Sequence, residues 1–429
     1  MATGGTFLTY NKVLPGAYIN FISKARALGS IADRGVMAMA LKNNWGVENK
    51  IVTITNEDFQ KNSLKILGYE YTSENLKPFR EAFKNAKEIK YYRIGNGEKA
   101  KATIGNLNVV SKYSGDRGNN IKIKIASNVD DSKYTIYTYI DNTILDEVIA
   151  NSIEELSEND FVTFSGTGTF EETAGTNLSG GTNGVVNNSE YSKFLSLIES
   201  ENFNVLIYDG EDEQTKGLFE SFTKRLRDDE GVKITTVLYN YKKADFEGII
   251  SVKNDRNLVY WVGGALAGAE INQSLTNKVY DGEYEFNAKY SNNELKEAIN
   301  SGEFVFYYDV NNIRVLKDIN TFVSFSSDKN SDFSNNQIIR VLDSTANDIA
   351  RIFNDYYLGK MQNDDLGRDI FKSELINYFN QLQAIRAIDN FSAEDIAIKK
   401  GSKKGDVIVD LMIEPVASMD KLYMKCIIE

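Results

Sequence analysis

The sequence has no histidine in 429 residues. That absence removes Ser-His-Asp and Cys-His catalysis, HExxH zinc sites and imidazole proton shuttling together. Cysteine occurs once, at Cys426, so no intramolecular disulfide can form, and the apolar alternation around it predicts a thiol packed in a strand. Positive charge is short as well: 49 Lys and Arg against 61 Asp and Glu give a formal charge of −12. Binding that releases counterions from phosphates is not favoured by that balance, so nucleic acid and anionic membrane surfaces are not expected partners. No stretch approaches the roughly eighteen apolar residues of a membrane span. Met1 to Tyr10 also lacks the basic flank and apolar core of a secretory signal, so a soluble chain with no membrane insertion is expected.

What is present is core material. A hydrophobic content of 42% excludes wholesale disorder, and the length predicts two to four domains. Leu14 to Ile22, punctuated by Pro15-Gly16, reads as an extended arm leading into a strand. The continuous apolar run from Arg34 to Leu41 has the length of a buried strand, and the spacing of Leu76, Phe79, Phe83 and Ala86 predicts an amphipathic helix. From Gly95 to Gly181 the texture becomes that of an all-β insertion, with period-two runs at Ile121–Ile125 and Tyr134–Ile140. A Gly/Ser/Thr/Asn stretch, 165–188, reads as loop.

Helix and strand patterns then alternate to about Ile271, predicting a mostly parallel sheet covered by helices. Two further helices are marked by Ile349, Ile352, Phe353 and Tyr356, and by Phe371, Leu375, Tyr378, Phe379, Leu382 and Ile385. Strand patterns follow to the last residues, through Val407, Val409, Leu411 and Ile413 and then Leu422, Met424, Cys426 and Ile428. Chain ends normally fray, so apolar strands written at both termini imply that something ties them down.

The motifs that could carry chemistry are incomplete. Gly95-Asn96-Gly97 has Ala100 where a dinucleotide fingerprint needs its third glycine, and Gly263–Gly268 runs into Ala269-Glu270 where a phosphate loop needs Lys-Ser/Thr. Close helix packing is the better account of the second set. Asp328, Asn330 and Asp332 open like a calcium loop, but Phe333 and Ile339 occupy the required glycine and glutamate positions. The cluster Asp209-Gly210-Glu211-Asp212-Glu213 follows a strand at the end where parallel sheets place ligands, though the same acids suit the first turn of the next helix. Lys399-Lys400-Gly401-Ser402-Lys403-Lys404 reads as a turn with a positive patch for an acidic protein partner.

Several segments together resemble contractile tail sheath proteins, above all the short ones of clostridial and bacillus-type phages, defective prophages and phage-tail-like bacteriocins. Pro15-Gly16-Ala17-Tyr18 resembles the family's "PGVY" arm, and Arg34–Leu41 with Trp45-Gly46 the strand and turn that follow it. Leu178–Gly184 resembles the junction after its β-sandwich, Asn272–Lys278 its "NqSlTNk" segment, and Val407–Tyr423 its closing strands.

The resemblance implies a multidomain α/β fold: an arm (1–22), a subtilisin-like α/β core (23–94 and 182–320) with an inserted β-sandwich (95–181), an α+β C-terminal domain (321–414) and a C-terminal arm (415–429). It implies a non-enzymatic subunit, with no catalytic, cofactor or metal site, that polymerises as stacked rings around a tail tube, with baseplate and tail terminator proteins as further partners. Such a subunit belongs in a virion tail or phage-tail-like particle assembled in the bacterial cytoplasm. Tyr18, Ile19, Phe21, Leu422, Met424, Cys426 and Ile428 would be donated as strands to neighbouring subunits. Asp348, Arg351, Asp355, Lys399, Lys400, Lys403 and Lys404 would face the tube. Contraction would be a rigid-body rearrangement that needs no nucleotide. The rival reading is a soluble α/β hydrolase or metal-dependent enzyme using Asp209 to Glu213.

Overall fold

The run expected to be a buried strand is one, and it lies inside the larger of the protein's sheets because its residues are apolar on both faces. The computed structural model describes residues 4–5, 17–18, 31–128 and 133–428. The chain divides into two units, Met1–Ile31 with Asp348–Ile385 and Asn390–Glu414, and Ala32–Asn347 with Arg386–Asp389 and Pro415–Glu429.

In the first unit two short strands, β1 (Gly4–Gly5) and β2 (Ala17–Tyr18), pair in parallel. The second unit begins with β3 (Val36–Lys42), β4 (Ile51–Thr55), α1 (Asn56–Leu67), α2 (Lys77–Phe83) and β5 (Glu88–Ile94). Thr55 and Asp58 cap α1 reciprocally, and Gly68 ends it in the left-handed conformation, so the first turn and the stop are both written locally.

The insertion follows as two antiparallel sheets. One orders β10 (Thr143–Ala150), β9 (Tyr134–Ile140), β8 (Ile121–Ser127) and β12 (Thr173–Asn177); the other orders β11 (Val162–Ser165), β7 (Leu107–Ser114) and β6 (Lys99–Ile104). Ile121, Ile123 and Ile125 point inward at period two, against Leu107, Val109 and Val162 of the other sheet. β12 corrects the reading of 165–188 as loop throughout. Its residues are small, polar and largely exposed, and what makes them a strand is bulged pairing with β8.

Beyond the insertion come α3 (Asn188–Ile198), β13 (Val205–Tyr208), α4 (Glu213–Lys224), β14 (Thr235–Tyr239), β15 (Ile249–Val252), α5 (Leu258–Gly268), α6 (Asn292–Asn300) and β16 (Glu303–Phe304). They complete a seven-stranded sheet of order β16-β15-β14-β13-β3-β5-β4, parallel except for β4. Met37, Met39 and Leu41 pack with α1, α2 and α5 on one face, while Ala38 and Ala40 pack with α3 and α4 on the other. A Cβ at Gly264 would overlap the Ala82 carbonyl and one at Gly268 that of Asn85, so these glycines let α5 lie against α2 and the residues just after it. A hairpin, β17 (Phe306–Asp309) and β18 (Asn312–Val315), precedes the last helices. Segment Asn272–Lys278 is bound to it and to the residues just after it: Asn277 N–H donates to the Val315 carbonyl at 2.8 Å and Leu275 N–H to Asp318 at 3.0 Å.

α7 (Asn336–Ile352) runs from the second unit into the first and ends in a π-turn at Phe353–Tyr357. The first unit continues with α8 (Asp365–Ala384), and after β19 (Ile388–Asp389) of the second unit it resumes as a hairpin, β20 (Ile396–Lys400) and β21 (Val407–Leu411). Its core is aromatic: Phe371 lies 4.6 Å from Tyr357 and 5.7 Å from Phe353, and Phe379 lies 5.1 Å from Phe391.

Candidate functional site

In the first unit, β20 and β21 pair from Ile396↔Leu411 to Lys400↔Val407 and have no third strand among the described residues. Ile396 is buried toward the unit, whereas Ile408, Val409 and Met412 are exposed. Two strands are too few to be stable alone, and open edges with apolar side chains invite pairing with another chain. The turn is nevertheless well fixed. Gly401 N–H donates to the Asp406 carbonyl at 2.8 Å, and Asn363 Nδ2 reaches the carbonyls of Lys404 and Asp406 at 3.0 and 2.8 Å.

In the second unit, the C-terminal segment is anchored as far as Ser418. Val416 N–H donates to the Ala387 carbonyl at 2.9 Å and Ser418 N–H to Gln337 Oε1 at 2.9 Å. Residues 419–428 then carry no helix, strand or backbone hydrogen bond among the described residues. Met419, Leu422, Tyr423, Met424, Ile427 and Ile428 are each three quarters exposed or more. That much uncovered apolar side chain in one segment is a liability unless another surface receives it.

Cys426 corrects the expectation of a thiol packed in a strand: it is free and exposed, in a segment that forms no strand among the described residues. Of the other expected donors, Leu422, Met424 and Ile428 lie in this segment and Tyr18 in β2, while Ile19 and Phe21 fall outside the described residues.

The residues expected to face the tube separate. Asp348 is buried, accepting from Tyr378 Oη at 3.0 Å and Arg351 Nη2 at 3.2 Å, so it orders the first unit instead of offering a surface charge. Asp355, Lys400, Lys403 and Lys404 are exposed, Arg351 is half-buried, and Lys399 reaches across the hairpin to Asp410 at 2.8 Å. Sequence reasoning missed a groove of about 390 Å³ whose lining includes Phe353, Tyr357, Met361, Phe371, Lys404 and Val407. No periodic signal marks it, since its residues come from a π-turn, a loop, a helix and a hairpin.

The acidic cluster of the rival reading is dispersed. Asp209 is half-buried and accepts from Tyr260 Oη at 2.6 Å; desolvation pushes its carboxyl above the ordinary range. Asp212 caps α4, accepting from Thr215 N–H at 2.7 Å, and the hydrogen bonds from Thr215 hold it below its usual value. Glu213 pairs with Lys243 at 2.6 Å and Lys216 at 3.0 Å, hydrogen bonds that lower it too. No group of three or more His, Cys, Asp or Glu among the described residues is arranged to hold a metal. Nor is any helix in them long and apolar enough to cross a membrane.

Family profiles match in succession: the N-terminal region of domain III of the tail sheath protein Gp18 at residues 34–94, the phage tail sheath protein beta-sandwich domain at 95–183, its central domain at 184–321 and the phage tail sheath C-terminal domain at 328–429. Phage-like element PBSX protein XkdK of Bacillus subtilis is 34% identical, with 98% of each chain covered. The crystal structure of a sheath tail protein from Desulfitobacterium hafniense superposes with a TM-score of 0.85 at 40% identity, covering 95% of this chain and 99% of that one. The contracted helical sheath of the anti-feeding prophage shares the fold at 12% identity, with a TM-score of 0.57 and 97% and 99% covered.

Proposed function

The chain belongs to the phage tail sheath family, and on that premise we propose that it is the repeating subunit of a contractile sheath, linked to its neighbours by donated strands. The observation that carries this reading is the pairing of supply and demand within one sequence: an uncovered apolar segment at 419–428 and a two-stranded hairpin with open edges. Each joint of about five residues would add roughly five backbone hydrogen bonds at about 1 kcal/mol net apiece, before side-chain burial. One joint is modest. Repeated around stacked rings, such joints hold by effective concentration and let subunits shift without parting.

The work is structural, and contraction in this reading is a repacking of folded bodies in which an extended assembly, trapped kinetically, passes to a lower-energy one. An inner tube, a baseplate and a terminator would be the partners, and relatives described as a contracted sheath and as a baseplate share this fold. Lys400, Lys403, Lys404, Arg351 and Asp355 remain the proposed tube-facing set, while buried Asp348 holds Arg351. The α/β hydrolase reading loses its support with the dispersal of Asp209, Asp212 and Glu213 among structural partners. Negative-stain electron microscopy of the purified chain tests the proposal: hollow striated tubes or stacked rings are expected, and a small monodisperse species at every concentration would contradict it.

A further inference from the structure

The two connections that lead into and out of the β-sandwich, Gly95-Asn96-Gly97 and Ser179–Gly184, have the composition of a flexible hinge. Their geometry is the opposite. Gly184 N–H donates to the Gly95 carbonyl at 2.8 Å, Thr182 N–H to the Glu98 carbonyl at 3.1 Å, and Glu98 N–H to Thr182 Oγ1 at 3.1 Å, so the two connections pair with each other. A Cβ on Gly97 would overlap the Thr182 carbonyl and one on Gly184 the Asn96 carbonyl. These glycines are there for close approach, and close approach removes freedom.

Arg93, at the end of β5, crosses the same junction. It is fully buried, and its guanidinium donates to the carbonyls of Asn43 and Gly46 in the sheet unit, each at 2.9 Å, and to the Ser114 carbonyl in the sandwich at 2.8 Å. Trp45 belongs to the sandwich core: its ring lies 5.2 Å from Tyr113 and 5.9 Å from Phe161, while its Nε1 donates to the Lys65 carbonyl of α1 at 3.1 Å. Arg117 returns the tie, donating to the Gly68 carbonyl at 2.8 Å with its guanidinium 4.4 Å from the Tyr69 ring centre. The sandwich core therefore takes in Trp45, with Leu64 of α1 packed against it, and the buried donors cross the boundary that the glycines mark in sequence.

We infer that the β-sandwich and the seven-stranded sheet form one mechanical body, welded by Arg93 and Trp45, so that no shape change of the assembled protein is taken up at the glycine-rich junction. The assignment goes beyond the sheath reading and is decided first on the unassembled protein. Spin labels on Ala174→Cys in the sandwich and Ser196→Cys in α3, both exposed, are introduced in a Cys426→Ser background and their separation is measured by pulsed electron resonance. One narrow distance distribution is expected, unchanged in assembled tubes. A broad or two-peaked distribution in the free protein, or a shift on assembly, overturns the inference. Arg93→Met, if it folds, is expected to broaden the distribution and open the junction to protease; a folded Arg93→Met with a distribution as narrow as before removes Arg93 from the weld. If it does not fold, the labelled protein with Arg93 intact still decides.

Discussion

Arg227 and Asp343 form a buried two-pronged ion pair, Nη1 to Oδ2 at 2.6 Å and Nη2 to Oδ1 at 2.8 Å, joining the π-turn after α4 to the middle of α7. The π-turn rotates Arg227 inward, where Nη1 also donates to the Ile234 carbonyl at 2.7 Å. Asp343→Ala leaves that guanidinium buried without its counter-charge and is expected to cost about 3–5 kcal/mol by chemical denaturation. Arg227→Met with Asp343→Leu is expected to recover most of the loss, because two apolar side chains leave no charge behind.

Glycines in α5 are a packing requirement. Gly264→Ala drives a methyl into the Ala82 carbonyl, and overpacking of that kind costs about 1–3 kcal/mol. Gly405→Ala in the hairpin turn meets nothing within 4 Å and has no positive φ, so its thermal midpoint is expected to stay near that of the unaltered protein.

Acid and base act on different carboxyls. Asp58 is held below its ordinary value by Thr55, and Glu283 by Arg80; their contribution is present above the unfolded pKa and is lost as pH falls through the folded values. Glu81 is the reverse. Burial raises it above its ordinary 4.5, although Tyr280 Oη and Glu283 N–H both donate to it. Its contribution is full below the unfolded value and is lost as pH rises through the folded one. Glu81→Gln is therefore expected to gain stability relative to the unaltered protein as pH rises from 4.5 to neutrality, read as a difference in thermal midpoint, and to show no gain below that window.

Removing residues 419–429 leaves the Ser418–Gln337 anchor in place, and the described residues among them, 419–428, are all exposed. The shortened subunit is expected to fold with unchanged stability and to stay small in size-exclusion chromatography. Val409→Lys on the open face of β21 is expected to do the same, since a charge on a strand edge discourages pairing.

Much of this was legible in the sequence where chemistry is local. Met37 to Leu41 announces a strand buried on both faces, and Ile121, Ile123 and Ile125 a strand buried on one. What was not legible depended on partners distant in the chain. The start of α7 is hidden because Asn336, Gln337 and Arg340 are buried polar residues that break its apolar rhythm while hydrogen-bonding to Asp318, Asn272 and Gln273. Asp348 reads as a surface acid until Tyr378, thirty residues on, is seen to donate to it. The alternation at Leu422, Met424, Cys426 and Ile428 predicts a strand, but these residues form none among the described residues and lie exposed.

The chain's single thiol makes the most direct test of strand donation possible without any substitution. Cys426 is exposed, so it accepts a photo-crosslinking maleimide. Isotopically light and heavy subunits are labelled, mixed in equal amounts, assembled and irradiated, and the linked peptides are read by mass spectrometry. The account predicts mixed light–heavy links from the tail of one copy to the Ile396–Leu411 hairpin of another; links confined to the same copy, or to surfaces away from that hairpin, would contradict it.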